Sequence, residues 1–81
     1  VAPAAPVHVL MIPKAHTENI ITAEPELLLY MFGKVKELAE KLGVNEKGFR
    51  IVANTGDDGG QTVKHLHIHL LGGKALGWPP C

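Results

Sequence analysis

Apolar and polar residues change places at every position from His65 to Leu70. Successive side chains of a β-strand point to opposite faces. The alternation predicts a strand with Leu66, Ile68 and Leu70 on one face and His65, His67 and His69 on the other. A helix would scatter these histidines around its circumference, and the branched Ile68 also favours a strand. A second strand is predicted from His8 to Ile12, where Val7, Val9 and Met11 share one face and His8, Leu10 and Ile12 the other. Pro13 cannot donate to a ladder and should end it. A third is predicted from Phe49 to Asn54.

Between the second and third strands the period changes. Leu27, Leu28, Met31, Val35, Leu38, Ala39 and Leu42 recur at steps of 3 and 4, the stripe of an amphipathic helix. Thr22 is the expected N-cap, with Glu24 and Glu26 in the first turn, where negative charge suits the helix dipole. Pro25 is tolerable there because first-turn N–H groups lack helical partners. Gly43 is the expected left-handed stop. Lys34, Lys36, Glu37, Glu40 and Lys41 take the solvent side, with Glu37 and Lys41 spaced for an i,i+4 pair. Lys14 to Ile21 is a connection, and His16 is expected to be a surface loop residue. Thr55 to Gly60 is a glycine-rich turn, and Gly72-Gly73 ends the histidine strand. Val1 to Pro6 and Leu76 to Pro80 are irregular segments punctuated by proline.

Eighty-one residues make a single domain, residues 1–81, with no internal repeat. Hydrophobic content of 46% against 20% charged residues predicts a folded chain. The formal net charge of zero argues against a nucleic-acid partner, which needs a basic face. No apolar run reaches the roughly 18 residues of a membrane span, so no membrane partner is expected. Cys81 is the single cysteine, which excludes an internal disulfide and fits a reducing, cytoplasmic compartment. The chain opens on Val1 without a methionine or a signal-peptide pattern, as expected of an N-terminus cut from a longer protein.

Three imidazoles on one strand face could do three jobs. A purely structural role is a costly use of a half-buried face, because buried polar groups each need a partner. Zinc binding is open to a His-X-His pair. However, His65 and His69 would lie roughly 13 Å apart at ~3.3 Å per residue, and a closed site needs further ligands. Zinc is therefore possible but not expected for catalysis. The third job is nucleophilic attack on phosphorus. A central imidazole attacks, its neighbours donate to phosphoryl oxygens, and the glycine-rich turn offers N–H groups to the same anion. Close histidines also disfavour each other's protonation, which keeps the attacking ring neutral. The turn is no Walker loop, since no Gly-Lys-Ser/Thr follows it.

His65-Leu66-His67-Ile68-His69-Leu70-Leu71 resembles the motif of the histidine triad (HIT) family. His8-Val9-Leu10-Met11-Ile12-Pro13-Lys14-Ala15-His16 resembles that family's upstream strand, and Asn54 to Thr62 its phosphate loop. Trp78-Pro79-Pro80 resembles the tail of the branch that hydrolyses purine nucleoside phosphoramidates. The resemblance implies an α+β fold: an antiparallel sheet, one main helix packed on it, and a homodimer whose sheets run together. The family's opening helix and strand pair have no counterpart ahead of Val1, so the domain is N-terminally truncated relative to the family.

The resemblance further implies a nucleotide hydrolase or transferase. It would cleave nucleoside 5′-phosphoramidates or acyl nucleotides through a covalent nucleotidyl-histidine on His67, with a purine nucleotide as substrate and no required cofactor. Asn54, Gly60, Gln61, Thr62 and His69 would surround the α-phosphate. Thr62 stands where serine is common and could help protonate a leaving amine. His65 and His8 match accessory histidines that orient the central ring and its support. Trp78 would reach the partner's site, and Gly77 precedes it where the closest branch has histidine. The alternatives are a dinucleoside polyphosphate hydrolase and a non-enzymatic zinc- or nucleotide-binding interaction protein. Assembly is expected independently: a small core and exposed sheet edges favour an isologous dimer.

Overall fold

The computed structural model describes residues 6–77. Four elements follow in order: β1 (Val7–Met11), α1 (Pro25–Leu42), β2 (Phe49–Val52) and β3 (Ile68–Gly72). They form an α+β unit in which β3 is the central strand of a three-stranded sheet ordered β1-β3-β2. Both pairings are antiparallel, with Met11 opposite Ile68 and Val52 opposite His69.

The core lies between one sheet face and α1, and the expected stripe builds it. Val35, Ala39, Val44 and Leu70 form one buried cluster, with Val7, Leu38, Leu42 and Ile51 packed against it. Met31, Leu66 and Ile68 form a second, flanked by Leu27, Leu28 and Ala53. Leu66, Ile68 and Leu70 are fully buried. At about 1.5–3 kcal/mol for each large aliphatic side chain removed from water, these three anchor the sheet to the helix.

The helix ends differ from expectation at one terminus only. Glu24 is the N-cap and Pro25 begins the helix. Proline at the first helical position forces its predecessor to an extended conformation, and Glu24 has φ −68° and ψ 139°. Thr22 therefore does not cap α1. Its hydroxyl serves the preceding loop, where it accepts from the Asn19 N–H at 3.2 Å. Gly43 closes the helix in the left-handed conformation, φ 75°, as expected. Glu37 pairs with Lys34 at 3.3 Å, in place of the i,i+4 pairing with Lys41.

The strands are shorter than the apolar alternation. β2 stops at Val52 instead of Asn54, and β1 stops at Met11. β3 begins only at Ile68, so His65, Leu66 and His67 precede it. The register gives the reason. Continuing the ladder beyond Met11 and Ile68 would set Leu66 opposite Pro13, which has no N–H to offer. The Leu66 N–H instead donates to the Thr17 carbonyl at 2.8 Å. That bond ties the segment to the loop before α1, and the alternation survives: Leu66 is buried while His65 and His67 are half-buried.

Candidate active site

The face of the sheet away from α1 carries the imidazoles. His69 comes from central β3, and His8 from the neighbouring β1. Leu10 lies directly opposite His69 in the register, and His8 opposite Leu71. Each histidine is thus set by a strand whose other face is committed to the core. A cleft of about 620 Å³ opens over this face, lined by His8, Leu10, Asn54, Gly60, Thr62, Val63, His67 and His69. A second cleft of about 630 Å³ runs between β1 and α1 past Val9, Met11, Tyr30 and Met31. It contains no histidine, so it lacks a nucleophile for the chemistry anticipated from the sequence.

Hydrogen bonds give the three rings of the triad three different partners. His67 Nδ1 lies 2.8 Å from the His65 carbonyl oxygen. A carbonyl only accepts, so Nδ1 carries the proton. In the neutral ring Nε2 then holds the lone pair. His65 Nε2 lies 3.3 Å from the Pro13 carbonyl and donates to it for the same reason. The His65 ring also meets His16 edge-on, centroids 5.0 Å apart, on the exposed loop where His16 was expected. His69 Nδ1 lies 2.9 Å from His8 Nε2, so one of these rings donates to the other. With His8 as donor, the remaining proton of His69 sits on Nε2, free to serve the cleft. The rings of His67 and His69 meet edge-on at 5.1 Å. Burial is the main cause that holds the His69 pKa below the usual histidine value, and the neighbouring His67 and His8 add to it.

These contacts refine the accessory roles. His65 orients the central ring through its main-chain carbonyl, while its own ring is anchored to Pro13. His8 supports His69 directly.

The glycine-rich turn is more occupied than the sequence suggests. The Gly60 N–H donates to the Asp57 carbonyl and the Gln61 N–H to the Gly56 carbonyl, both at 3.0 Å. Neither is available to an anion without breaking its loop bond. The Gln61 side chain faces away from the cleft and is buried, 5% exposed. Its Oε1 accepts from the Gly56 N–H at 2.9 Å, and its Nε2 donates to the Glu18 and Val63 carbonyls at 2.6 and 3.1 Å. Gln61 is thus a brace under the loop and does not line the cleft. Asn54 does line it, and braces the turn by donating to the Gly59 carbonyl at 2.7 Å. Gly59 has no room for a side chain: a Cβ would collide with the Thr55 carbonyl oxygen and lie 2.9 Å from the Thr55 nitrogen.

The structure therefore brings His8, Asn54, Gly60, Thr62, His67 and His69 to one cleft and leaves the His65 ring and the Gln61 side chain behind it. Trp78 lies outside the described residues. Leu10 and Val63, both exposed, form an apolar part of the wall that sequence reasoning did not single out. Leu10 was detectable in principle, as an apolar residue sharing the histidine face of its strand. Among the described residues no three His, Cys, Asp or Glu side chains converge as a metal site would require.

The HIT domain family model matches residues 1–76, and the chain belongs to that family. An uncharacterized HIT-like protein of Synechococcus elongatus is 55% identical over 83 residues, covering 99% of this chain and 72% of that relative. The crystal structure of a HIT family hydrolase from Legionella pneumophila Philadelphia 1 is similar with a TM-score of 0.91 and 44% identity. The match covers 98% of this chain and 73% of that one. A histidine triad protein from Clostridium difficile is similar with a TM-score of 0.88 and 38% identity, over 95% of this chain and 70% of that one.

Proposed function

We propose that the protein is a nucleotide hydrolase that cleaves nucleoside 5′-phosphoramidates or acyl nucleotides, with His67 as the nucleophile. One observation carries this reading. The His65 carbonyl fixes the proton of His67 on Nδ1, which leaves the Nε2 lone pair at a cleft shared with His69 and Thr62. The similarity to a HIT family hydrolase supports the reaction class.

In the first step His67 Nε2 attacks the α-phosphorus. A nitrogen–phosphorus bond forms while the bond to the leaving group breaks, and the leaving amine takes a proton relayed through the Thr62 hydroxyl or water. His69, presenting Nε2–H, donates to a phosphoryl oxygen as charge builds. In the second step water attacks the phosphorus, the nitrogen–phosphorus bond breaks, and the nucleoside monophosphate leaves. Apart from water, every catalytic group in this proposal belongs to the chain, and no step is routed through a cofactor.

The same reading extends to assembly and location. Leu29, Tyr30 and Phe32 are exposed on α1, and β1 and β2 are both sheet edges, features that suit burial in a homodimer. In that dimer the partner's Trp78 would approach the cleft. No described helix is long and apolar enough to cross a membrane, which is compatible with the proposed cytoplasmic location.

The test is a rapid-quench reaction with an adenosine phosphoramidate, followed by mass spectrometry. A nucleotide adduct on His67 is expected. Hydrolysis that persists in His67→Ala would reject the assignment. Relative turnover of phosphoramidates and dinucleoside polyphosphates then identifies the leaving group.

A further inference from the structure

Asn19 belongs to no motif, and its hydrogen bonds go to Ile21, Thr22, Ala23 and Gln61, yet it is buried at 8% exposure beside the buried Gln61. Its Nδ2 donates to Gln61 Oε1 at 3.3 Å, across 42 residues of sequence. Its Oδ1 accepts from the Ile21 N–H at 2.9 Å, which holds its own loop in a tight turn. The same loop grips the other side of the site, because the Thr17 carbonyl accepts from the Leu66 N–H at 2.8 Å. Leu66 lies between His65, whose carbonyl orients the nucleophile, and His67 itself. Gln61 lies between Gly60 and Thr62, which line the cleft. Residues 17–22 therefore bridge the segment that carries the nucleophile and the segment that faces the phosphate.

We infer that Asn19 is a positioning residue whose amide bond to Gln61 fixes the placement of Thr62 and Gly60 relative to His67; the inference rests on the hydrolase reading above. The orientation of both amides is determined. Gln61 Nε2 donates to two carbonyls, and Gln61 Oε1 also accepts from the Gly56 N–H. A flipped Gln61 would set its oxygen against both carbonyls and leave the Gly56 N–H unmet. Gln61 Oε1 can thus accept from Asn19 but cannot exchange roles with it. A displacement of about 1 Å between reacting groups is enough to cost roughly 10²-fold in rate. Two neutral amides buried together are also costly to leave half-satisfied, which makes the bridge stiff.

Two substitutions separate the bridge from the turn. Asn19→Asp keeps Oδ1 for the Ile21 N–H but sets an oxygen against Gln61 Oε1. Asn19→Ser keeps a short hydroxyl acceptor for the turn and cannot reach Gln61. Thr22→Val is the control: it removes the hydroxyl that bonds Thr17 and Asn19 within the loop and leaves the bridge intact. The measurements are amide hydrogen exchange at Gly56 and Leu66, and the first-order rate of His67 adduct formation at saturating adenosine phosphoramidate. That rate constant does not depend on the fraction of protein folded.

For Asn19→Ser and Asn19→Asp, exchange at Gly56 should quicken and the adduct rate should fall about tenfold with KM changed less than about twofold, the pattern of lost transition-state positioning. Thr22→Val should change the adduct rate by less than about twofold. A wild-type adduct rate in folded Asn19→Ser, or an equal loss in Thr22→Val, would overturn the inference and leave the hydrolase reading standing. Failure of the unaltered protein to form any adduct would reject the hydrolase reading, and the positioning role with it.

Discussion

The two faces of the segment from His65 to Leu70 come from one alternating sequence and obey different rules. On the core face Leu66, Ile68 and Leu70 share one environment: each is fully buried against α1 and its neighbours. On the other face no two histidines share a partner. His65 donates to Pro13, His67 is held by the His65 carbonyl, and His69 pairs with His8. Repetition on the core face means interchangeable volume. Repetition on the histidine face conceals three different partners: Pro13 and His8, far away in sequence, and the His65 carbonyl, two residues away.

That contrast makes substitution on the histidine face selective for activity and substitution on the core face selective for stability. The largest effect expected is at His67. His67→Gln should lower the rate by three orders of magnitude or more, since it removes the proposed nucleophile, and should leave the melting temperature within a few degrees. Residual turnover within about tenfold of the unaltered protein would erase the distinction between the faces.

Leu70→Ala should do the reverse. It empties a fully buried site between β3 and Val35 and should cost about 2–5 kcal/mol of stability. Below the melting transition the folded variant should keep most of its activity. Urea unfolding with a parallel assay checks both.

His65 sharpens the comparison within the histidine face. In the proposed mechanism its contribution is a main-chain carbonyl, which survives any side-chain change. His65→Asn should lower the rate less than about tenfold, because only the anchor to Pro13 is weakened. A loss as deep as that of His67→Gln would show that the imidazole of His65 acts on the substrate directly.

Much of this was legible in the sequence. The helical stripe, the Gly43 stop, the order of elements and the two faces of the histidine segment all follow from local periodicity and turn chemistry. Less local features were hidden. Thr22 looks like an N-cap because the competing signal, Pro25 at the first helical position, acts through the backbone of Glu24. β3 looks three residues longer than it is because a strand's length also depends on its neighbour, and Pro13 sits where the ladder would continue. Gln61 is set among the residues around the phosphate by the family resemblance. Its inward direction is decided by Glu18, Asn19 and Val63, and no local pattern specifies that pairing. Six residues that the family resemblance singled out, His8, Asn54, Gly60, Thr62, His67 and His69, line one cleft, and the contact with the His65 carbonyl fixes which nitrogen of His67 carries the proton.

The smallest expected effect is a pH dependence carried by His69. Burial first, then His67 and His8, lower its pKa in the folded protein. In the unfolded chain the same group titrates near the ordinary value of about 6.5. Above that pH both states hold His69 neutral and it contributes no slope. Between about 6.5 and the lower folded value, the unfolded state binds more protons, so stability falls as pH drops through this window. His69→Asn removes the titrating group and should flatten part of that slope. The comparison is of chemical unfolding curves from pH 7.5 to 5 for the two proteins. The core face has no titratable group, so Leu70→Ala should shift the stability of the whole curve downward while keeping its slope. An unchanged slope in His69→Asn would mean that acid sensitivity arises elsewhere among the histidines, and that the His69 environment differs less from water than its burial between His8 and His67 indicates.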